Sequence, residues 1–162
     1  MEIWDLYNAD RDVIGEHIRG NNLPANAYHL VIHVWIRNSQ GKYLISQRAK
    51  NRPTFPLMWE CVGGSVLKGE SSLQGALRET LEEVGVTLPA QNGNLLFSKI
   101  REKFNDILDV WLFIYDGDVS LKNATTDEVE QAVWMDRNEI MRLKQENKLV
   151  DTLDYFFEKV DI

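Results

Sequence analysis

The order of apolar and polar positions predicts a chain built largely from strands. Apolar, β-branched and aromatic residues fill 28–36, the turn-forming run Asn-Ser-Gln-Gly occupies 38–41, and the apolar pattern resumes at 43–46, so a hairpin is predicted there. A second hairpin is predicted over 2–18, around the turn-prone Asn8-Ala9-Asp10. Two prolines, Pro53 and Pro56, force a loop after the first hairpin. The other predicted strands lie near 59–63, 94–102, 107–116 and 130–135.

Helical periodicity is strongest between residues 71 and 85. Apolar or β-branched residues recur there at steps of three and four, namely Leu73, Ala76, Leu77, Thr80, Leu81 and Val84. Ser71 or Ser72 can cap the start of this helix, and Gly85 can end it. Two further helices are predicted around 137–146 and 149–159. Many strands with few helices indicate the α+β class.

Glutamates crowd one face of the first helix, within the stretch "GGSVLKGESSLQGALRETLEEVGV" at residues 63–86. Glu79 and Glu83 are one turn apart, and Glu82 lies beside them. Like charges at this spacing destabilise an isolated helix by some tenths of a kcal/mol per pair, so something must offset them. Arg78, four residues before Glu82, can neutralise one carboxylate. The remaining oxygens suit a hard divalent cation such as Mg²⁺ or Mn²⁺.

Composition limits the class of protein. The 162 residues suit one domain, 1–162, and the lone Cys61 excludes an internal disulfide. A net charge of −7 argues against a nucleic-acid polymer as partner, while a small anionic ligand stays possible. No apolar run approaches the roughly 20 residues that span a bilayer, and the N-terminus lacks the pattern of a secretory signal. A cytoplasmic location without a membrane partner is therefore expected.

The spacing of the glycines and charged residues in 64–86 resembles the Nudix box, G-x5-E-x7-R-E-U-x-E-E-x-G-U, in which U is aliphatic. Eight of the nine specified positions agree, and the exception is Thr80 at the first U. Because threonine is β-branched, its methyl group can still face the core. So many matches at fixed spacings make the resemblance specific.

The resemblance implies a fold, an activity and roles for several residues. Nudix proteins are α/β/α sandwiches around a mixed sheet, and most hydrolyse a diphosphate linkage in a nucleoside diphosphate derivative. It implies that Glu79 and Glu83 bind Mg²⁺ or Mn²⁺, that Glu82 adds a ligand or orders the site, and that Gly63 offers its carbonyl. Arg78 would hold the glutamates in place. A homodimer is also possible on this resemblance.

The general base and the substrate contacts lie outside the box. Some Nudix proteins take the base from a loop late in the fold, where "TTDEVEQAVW" offers Asp127, Glu128 and Glu130, of which Glu130 is favoured because the loop enters a strand there. Arg48 and Arg52 are candidate contacts to substrate phosphates. Asp109 interrupts the apolar run "ILDVWLFIY" and is a further candidate for the pocket.

Two alternatives remain open. The segments "EIWDLYNADRDVIG" and "FPLMW" resemble the isopentenyl diphosphate isomerase branch of the Nudix fold, but Gly63-Gly64-Ser65 stands where that enzyme has Cys-Gly-His. Cys61 then has no histidine beside it and is expected in the core, while His29 and His33 are expected to be hydrogen-bonded in the core or the pocket. A catalytically silent binding module on the same fold is the other alternative, although it would be expected to lose box glutamates, and this chain keeps all of them.

Overall fold

A mixed β-sheet forms the centre of the computed structural model, which describes residues 1–162. Its strands and helices are β1 (Ile3–Tyr7), β2 (Val13–Ile18), β3 (His29–Arg37), β4 (Tyr43–Arg48), β5 (Trp59–Glu60), β6 (Val62–Ser65), α1 (Ser72–Val84), β7 (Gly93–Arg101), β8 (Asp106–Ile114), β9 (Val129–Met135) and α2 (Arg137–Gln145). The central order is β5-β4-β3-β8-β7, with β6 also paired to β3 and β9 to β4. The pairing of β3 with β8 is parallel and the other pairings are antiparallel.

Apolar side chains alternate between the two faces of this sheet because successive residues of a strand point to opposite sides. One cluster, including Ile32 and Val34 of β3, packs with Ala76 and Val84 of α1. The other cluster joins Trp35 to Ile140 of α2 and to the C-terminal segment. The α+β class and the α/β/α sandwich are therefore confirmed. Neither α-helix has the length and apolar character needed to cross a bilayer.

The N-terminal hairpin, β1 with β2, forms a small sheet of its own. Its turn is closed by the side chain of Asn8, which accepts hydrogen bonds from the amides of Asp10 and Asp12, both at 2.9 Å. Two backbone hydrogen bonds between Tyr7 and Tyr28, at 2.8 and 2.9 Å, join the hairpin to the chain entering β3. Both predicted hairpins are thus confirmed.

Two predicted elements differ from the structure. The expected strand at 59–63 is interrupted at Cys61, because β5 pairs with β4 whereas β6 pairs with β3. The helix expected at 149–159 is confirmed only in part: helical turns run from Asp151 to Val160, whereas the start of the predicted range is extended. Residues 148–150 are extended and bond to Trp59, with Trp59 donating to Lys148 O at 2.8 Å and Val150 donating to Trp59 O at 3.0 Å. Only short turns follow, a 3₁₀ turn at Asp151–Leu153 and one π turn at Phe156–Val160.

Candidate active site

The glycine pair of β6 brings the sheet close to α1. Gly63 lies opposite His33 and Gly64 opposite Ile32 in the antiparallel pairing with β3. A Cβ atom on Gly64 would overlap the carboxylate of Glu79. A residue without a side chain is therefore required at this contact between strand and helix.

Helix α1 is fixed at both ends. The Ser71 hydroxyl accepts from the Gln74 amide at 3.1 Å, and the Gln74 side chain accepts from the Ser71 amide at 2.9 Å, which forms a capping box. Gly85 ends the helix in the left-handed conformation, with φ 71°. A Cβ there would come within 2.6 Å of the backbone oxygen of Ser120, so the loop between β8 and β9 packs directly on this glycine.

The buried face of α1 includes Ala76, Thr80 and Val84, as apolar periodicity predicts, but it is shifted toward the glutamates. Leu81 is 37% exposed, whereas Glu79 and Glu83 are 9% and 5% exposed and lie among the buried residues of the helix. Thr80 is fully buried, and its hydroxyl donates to Ala76 O at 2.8 Å. The unusual residue of the box is therefore accommodated in the core without an unpaired polar atom.

Arg78 is the central cation of the site. Its guanidinium donates to both carboxylate oxygens of Glu70, at 2.7 and 3.0 Å, and to Ser65 O at 3.0 Å. It also contacts Glu79 at 2.9 Å and Glu82 at 3.1 Å. One arginine therefore joins the loop before α1 to two of the clustered glutamates. The pairing with Glu82 is the one that the spacing of four residues predicts.

The electrostatics of the cluster leave negative charge uncompensated. Burial raises the pKa of Glu79 to about 7, although Arg78 opposes the rise. Burial and then the nearby Glu60 and Glu79 raise the pKa of Glu83 well above its ordinary value. The Oε2 atom of Glu83 is buried without a hydrogen-bond partner, which is costly for a carboxylate. Glu79 is thus paired with Arg78, whereas no arginine or lysine pairs with Glu83, the most buried carboxylate of the cluster.

The donor set fits a hard divalent cation. Glu79, Glu82 and Glu83 supply the oxygen ligands such an ion prefers. No three carboxylate, imidazole or thiolate side chains converge on one point, and Arg78 is bound to two of the three glutamates. A cation would require these side chains to turn from Arg78, and it would give Glu83 Oε2 the partner that it lacks.

A cleft of about 440 Å³ opens over the cluster, and we name it the carboxylate compartment. Its lining is Glu2, Arg19, Arg52, Gly63, Gly64, Ser65, Leu67, Arg78, Glu79, Glu82 and Glu128, of which only Leu67 is apolar. Glu83 is buried and does not line it. A second cavity of about 270 Å³, the arginine compartment, shares Arg19, Arg52, Gly63 and Gly64 with the first. Together they offer a polar, charged cleft of the size that small ligands use.

The loop before β9 places Glu128, not Glu130, in this cleft. The Glu82 carbonyl accepts from the amides of Thr125 and Thr126, both at 3.1 Å, and so docks the loop on the end of α1. Glu128 lines the carboxylate compartment and lies 3.5 Å from Arg52. Glu130 is exposed on β9 and lines neither compartment. The candidate for the general base is therefore corrected from Glu130 to Glu128. No local signal in the sequence distinguished these two glutamates.

Two of the three predicted substrate contacts are already engaged within the protein. Arg48 lines the arginine compartment, but it donates to Glu60 at 2.8 Å and to Thr54 O at 2.9 Å. Asp109 is fully buried and lines neither compartment; it accepts from Ser98 at 2.6 Å and from Arg11 at 2.8 Å. The assignment of Asp109 to the pocket is corrected, because it ties the N-terminal hairpin to β8. Arg52, by contrast, lines both compartments.

The histidines and the cysteine take structural positions. His33 Nδ1 is 2.8 Å from the Tyr155 hydroxyl, and burial lowers the pKa of His33 to about 3. His29 stacks on Trp4 with ring centroids 4.1 Å apart. Cys61 is 2% exposed, and burial raises the pKa of its thiol well above the ordinary value. A thiol in this environment is protonated and is a poor nucleophile.

Comparison with known proteins identifies the family of the chain. The NUDIX domain family model matches residues 27–156. An uncharacterised Nudix hydrolase of Listeria monocytogenes is 36% identical over 159 residues, covering 97% of this chain and 91% of the relative. The crystal structure of DR0079 from Deinococcus radiodurans is similar in fold, with a TM-score of 0.79 at 22% identity over 98% of this chain and 99% of that one.

A third similar protein is a bifunctional NMN adenylyltransferase/ADP ribose pyrophosphatase of Francisella tularensis, solved with AMP and a Mn ion. It has a TM-score of 0.58 at 17% identity, over 81% of this chain and 41% of that one. At this identity the likeness concerns the fold alone. The box residues, the mixed sheet and the family match together show that the chain belongs to the Nudix family and is a Nudix pyrophosphohydrolase.

Proposed function

We propose that this enzyme hydrolyses a diphosphate linkage in a nucleoside diphosphate derivative or a similar small diphosphate, using Mg²⁺ or Mn²⁺. The observation that carries the proposal is the buried Glu83 Oε2, which has no partner in a cluster with Glu79. A buried carboxyl group that has no partner and a raised pKa marks a place where a bound cation would favour the ionised form. The Mn ion bound by the Francisella protein and its ADP ribose pyrophosphatase activity support the same choice of cofactor and substrate class.

Each box residue has a defined task in this proposal. Glu79, Glu82, Glu83 and the Gly63 carbonyl hold the cation. When bound, such an ion supplies charge neutralisation for the diphosphate and activation of water. Arg78 limits the motion of Glu79 and Glu82, because it is itself fixed by Glu70 and Ser65. Glu128 accepts the proton of the attacking water from its position in the wall of the carboxylate compartment.

Arginines complete the substrate site. Arg52, which lines both compartments, contacts the outer phosphate oxygens, and Arg48 supports the same region through Glu60 and Thr54. The proposal further includes a cytoplasmic location, a single domain over 1–162 and assembly as a homodimer. It includes no nucleic-acid polymer or membrane as partner.

The test is a phosphate-release assay over a panel of nucleoside diphosphate sugars, dinucleotides and isoprenoid diphosphates, with Mg²⁺ and with Mn²⁺. We expect turnover of at least one nucleoside diphosphate derivative, and Glu83→Gln should lower kcat by about 100-fold or more. The matched control is Glu158→Gln, since Glu158 is exposed, outside the cleft and without an ion pair. Far-ultraviolet circular dichroism and thermal unfolding check that both variants remain folded.

Other results would redirect the assignment. Near-normal turnover in folded Glu83→Gln protein would remove Glu83 from the metal site. Turnover of no panel member by the wild-type protein would favour the silent binding module. Double-bond migration in isopentenyl diphosphate would indicate the isomerase instead.

A further inference from the structure

The N-terminal hairpin contributes an arginine to the cleft although it lies outside residues 27–156, which the family model matches. Arg19 directly follows β2, and its backbone amide donates to Glu2 O at 3.0 Å, so both residues stand at the open end of the hairpin. Arg19 lines both compartments. The hairpin is therefore part of the wall of the site.

Several contacts fix this end of the hairpin against the box. Lys68 donates its backbone amide to Ile3 O at 2.8 Å, and the Gly69 amide donates to the Asp5 carboxylate at 2.9 Å. Trp4 is buried against His29 of β3. Because the hairpin is bonded to the loop between β6 and α1, Arg19 keeps a defined position relative to the glutamates.

Arginines outnumber carboxylates in the lining of the arginine compartment, in a protein of net charge −7. Three arginines and one glutamate line it. Arg48 is paired with that glutamate, Glu60, at 2.8 Å, which leaves Arg19 and Arg52. The carboxylates that pair with these two, Glu2 and Glu128, line the carboxylate compartment instead. An anion entering the arginine compartment would thus meet Arg19 and Arg52 as the partners of Glu2 and Glu128, and it would bind beside these ion pairs or displace them.

The lining residues also disfavour two other kinds of ligand in these compartments, a stacked base and an isoprenoid chain. No Phe, Tyr or Trp lines either compartment, and the only ring in their lining, the imidazole of His33, already stacks on Tyr155, so a base finds little ring surface there. The apolar residues of the arginine compartment are Cys61, Val150 and Leu153, against nine polar residues or glycines, so it does not form an apolar channel for an isoprenoid chain. The Arg19 side chain is 59% exposed and can reach a ligand.

We propose that the substrate carries a further anionic group, beyond the diphosphate that is cleaved, and that Arg19 binds this group together with Arg52. The inference rests on the proposed function, since the cleaved diphosphate occupies the carboxylate compartment. Forked contacts from a guanidinium suit a phosphate in particular. Such a phosphate is either the next one of a triphosphate chain or one carried elsewhere on the nucleotide.

Three pairs of compounds that differ by one phosphate test this proposal: ATP with ADP, coenzyme A with 3′-dephospho-coenzyme A, and NADPH with NADH. The first pair tests a longer phosphate chain, and the other two test a phosphate on the ribose. The wild-type protein should prefer the phosphate-bearing member of at least one pair in kcat/KM. Arg19→Gln should lower that preference by about 10-fold or more, whereas Arg19→Lys should retain part of it.

A second variant predicts the opposite sign. Glu2→Gln removes the carboxylate paired with Arg19 and should increase the preference for the phosphate-bearing member. A purely structural role of the pair would make both variants lose activity on all substrates alike. Arg142→Gln is the matched control, because Arg142 is exposed on α2, lines neither compartment and makes no ion pair.

Equilibrium binding of the same pairs, measured by calorimetry, separates this inference from the proposed hydrolysis. Tighter binding of a phosphate-bearing member that is lost in Arg19→Gln supports the inference even if nothing is turned over. Equal binding and equal kcat/KM within every pair, or a preference that Arg19→Gln leaves intact, would overturn it.

Discussion

Glu79 and Glu83 show how burial changes the electrostatic properties of a glutamate side chain. Helical spacing puts Glu79 and Glu83 on one face, but only their enclosure beside β6 removes them from solvent. Arg78 offsets part of the cost of burying two acidic groups side by side. It contacts Glu79 but does not bond to Glu83. The proposed role of Glu79 and Glu83 as metal ligands therefore rests on their burial as well as on their residue type.

The general base gives a prediction at the scale of the residue. Glu128→Gln should lower kcat by about 100-fold, because Glu128 lies in the wall of the cleft, and Glu130→Gln should have a much smaller effect, because Glu130 is exposed on β9. Steady-state kinetics on the best substrate of the panel measures both.

The pH profile is the more specific readout of the same pair of variants. Loss of the acidic limb of the kcat profile in Glu128→Gln would support its role as the base. A larger loss at Glu130 than at Glu128 would restore the assignment that the sequence favours.

At the scale of elements, the N-terminal hairpin is attached to the sheet by an ion pair at its turn. Arg11 donates to the carboxylate of Asp109, which is fully buried on β8 and also accepts from Ser98. Burial raises the pKa of Asp109, but the hydrogen bonds from Arg11 and the serines outweigh it, so the pKa lies below its ordinary value. The hydrogen bonds from Arg11 and the serines thus favour the ionised form of this buried carboxylate.

Breaking this pair should loosen the hairpin. Arg11→Met leaves a buried carboxylate without its cation and should lower the free energy of unfolding by about 2 kcal/mol, a value reduced for the partial exposure of Arg11. Urea denaturation measures the loss, and limited proteolysis should show faster cleavage before residue 27.

The same hairpin supplies the control. Glu16 pairs with Lys68, and both side chains are more than half exposed, at 56% and 53%. Glu16→Gln should therefore change stability by less than about 1 kcal/mol. Equal effects of Arg11→Met and Glu16→Gln would contradict the role assigned to Asp109.

For the whole molecule, the buried glutamates link stability to pH and to metal. The folded-state pKa of Glu79, about 7, lies above its ordinary value of 4.5, so the folded protein binds more protons than the unfolded chain. Without metal, the contribution of Glu79 to stability is lost as pH rises between these values. We expect a divalent cation to restore this contribution to stability, because it pairs with the ionised carboxylates.

Thermal unfolding should accordingly show a larger rise in Tm on adding Mg²⁺ at about pH 8 than at about pH 6, because at the lower pH the ligands must first release protons. Chelator-treated protein is the starting material, and Ca²⁺ or Na⁺ at the same ionic strength tests specificity. Glu79→Gln should reduce the difference between the two pH values. A metal effect that is the same at both pH values would argue against Glu79 as a ligand.

Much of the fold follows from local patterns. The two hairpins, the strands after α1 and both ends of α1 lie within one or two residues of their predicted positions, because alternation, turn residues and caps act over a few neighbouring residues. The helix expected at 149–159 starts later, at Asp151, because backbone bonds between 148–150 and Trp59, which is distant in the sequence, hold the preceding residues extended.

The sequence by itself determined the family, the α+β sandwich and the cluster of Arg78, Glu79, Glu82 and Glu83, since helix geometry alone brings residues at these spacings together. Only the tertiary structure decided that Glu128 lines the cleft, that Asp109 holds Arg11, and that Arg19 reaches the arginine compartment. These placements join residues far apart in the chain, and the packing of the hairpin and loops on the sheet sets them. No short-range pattern encodes that packing.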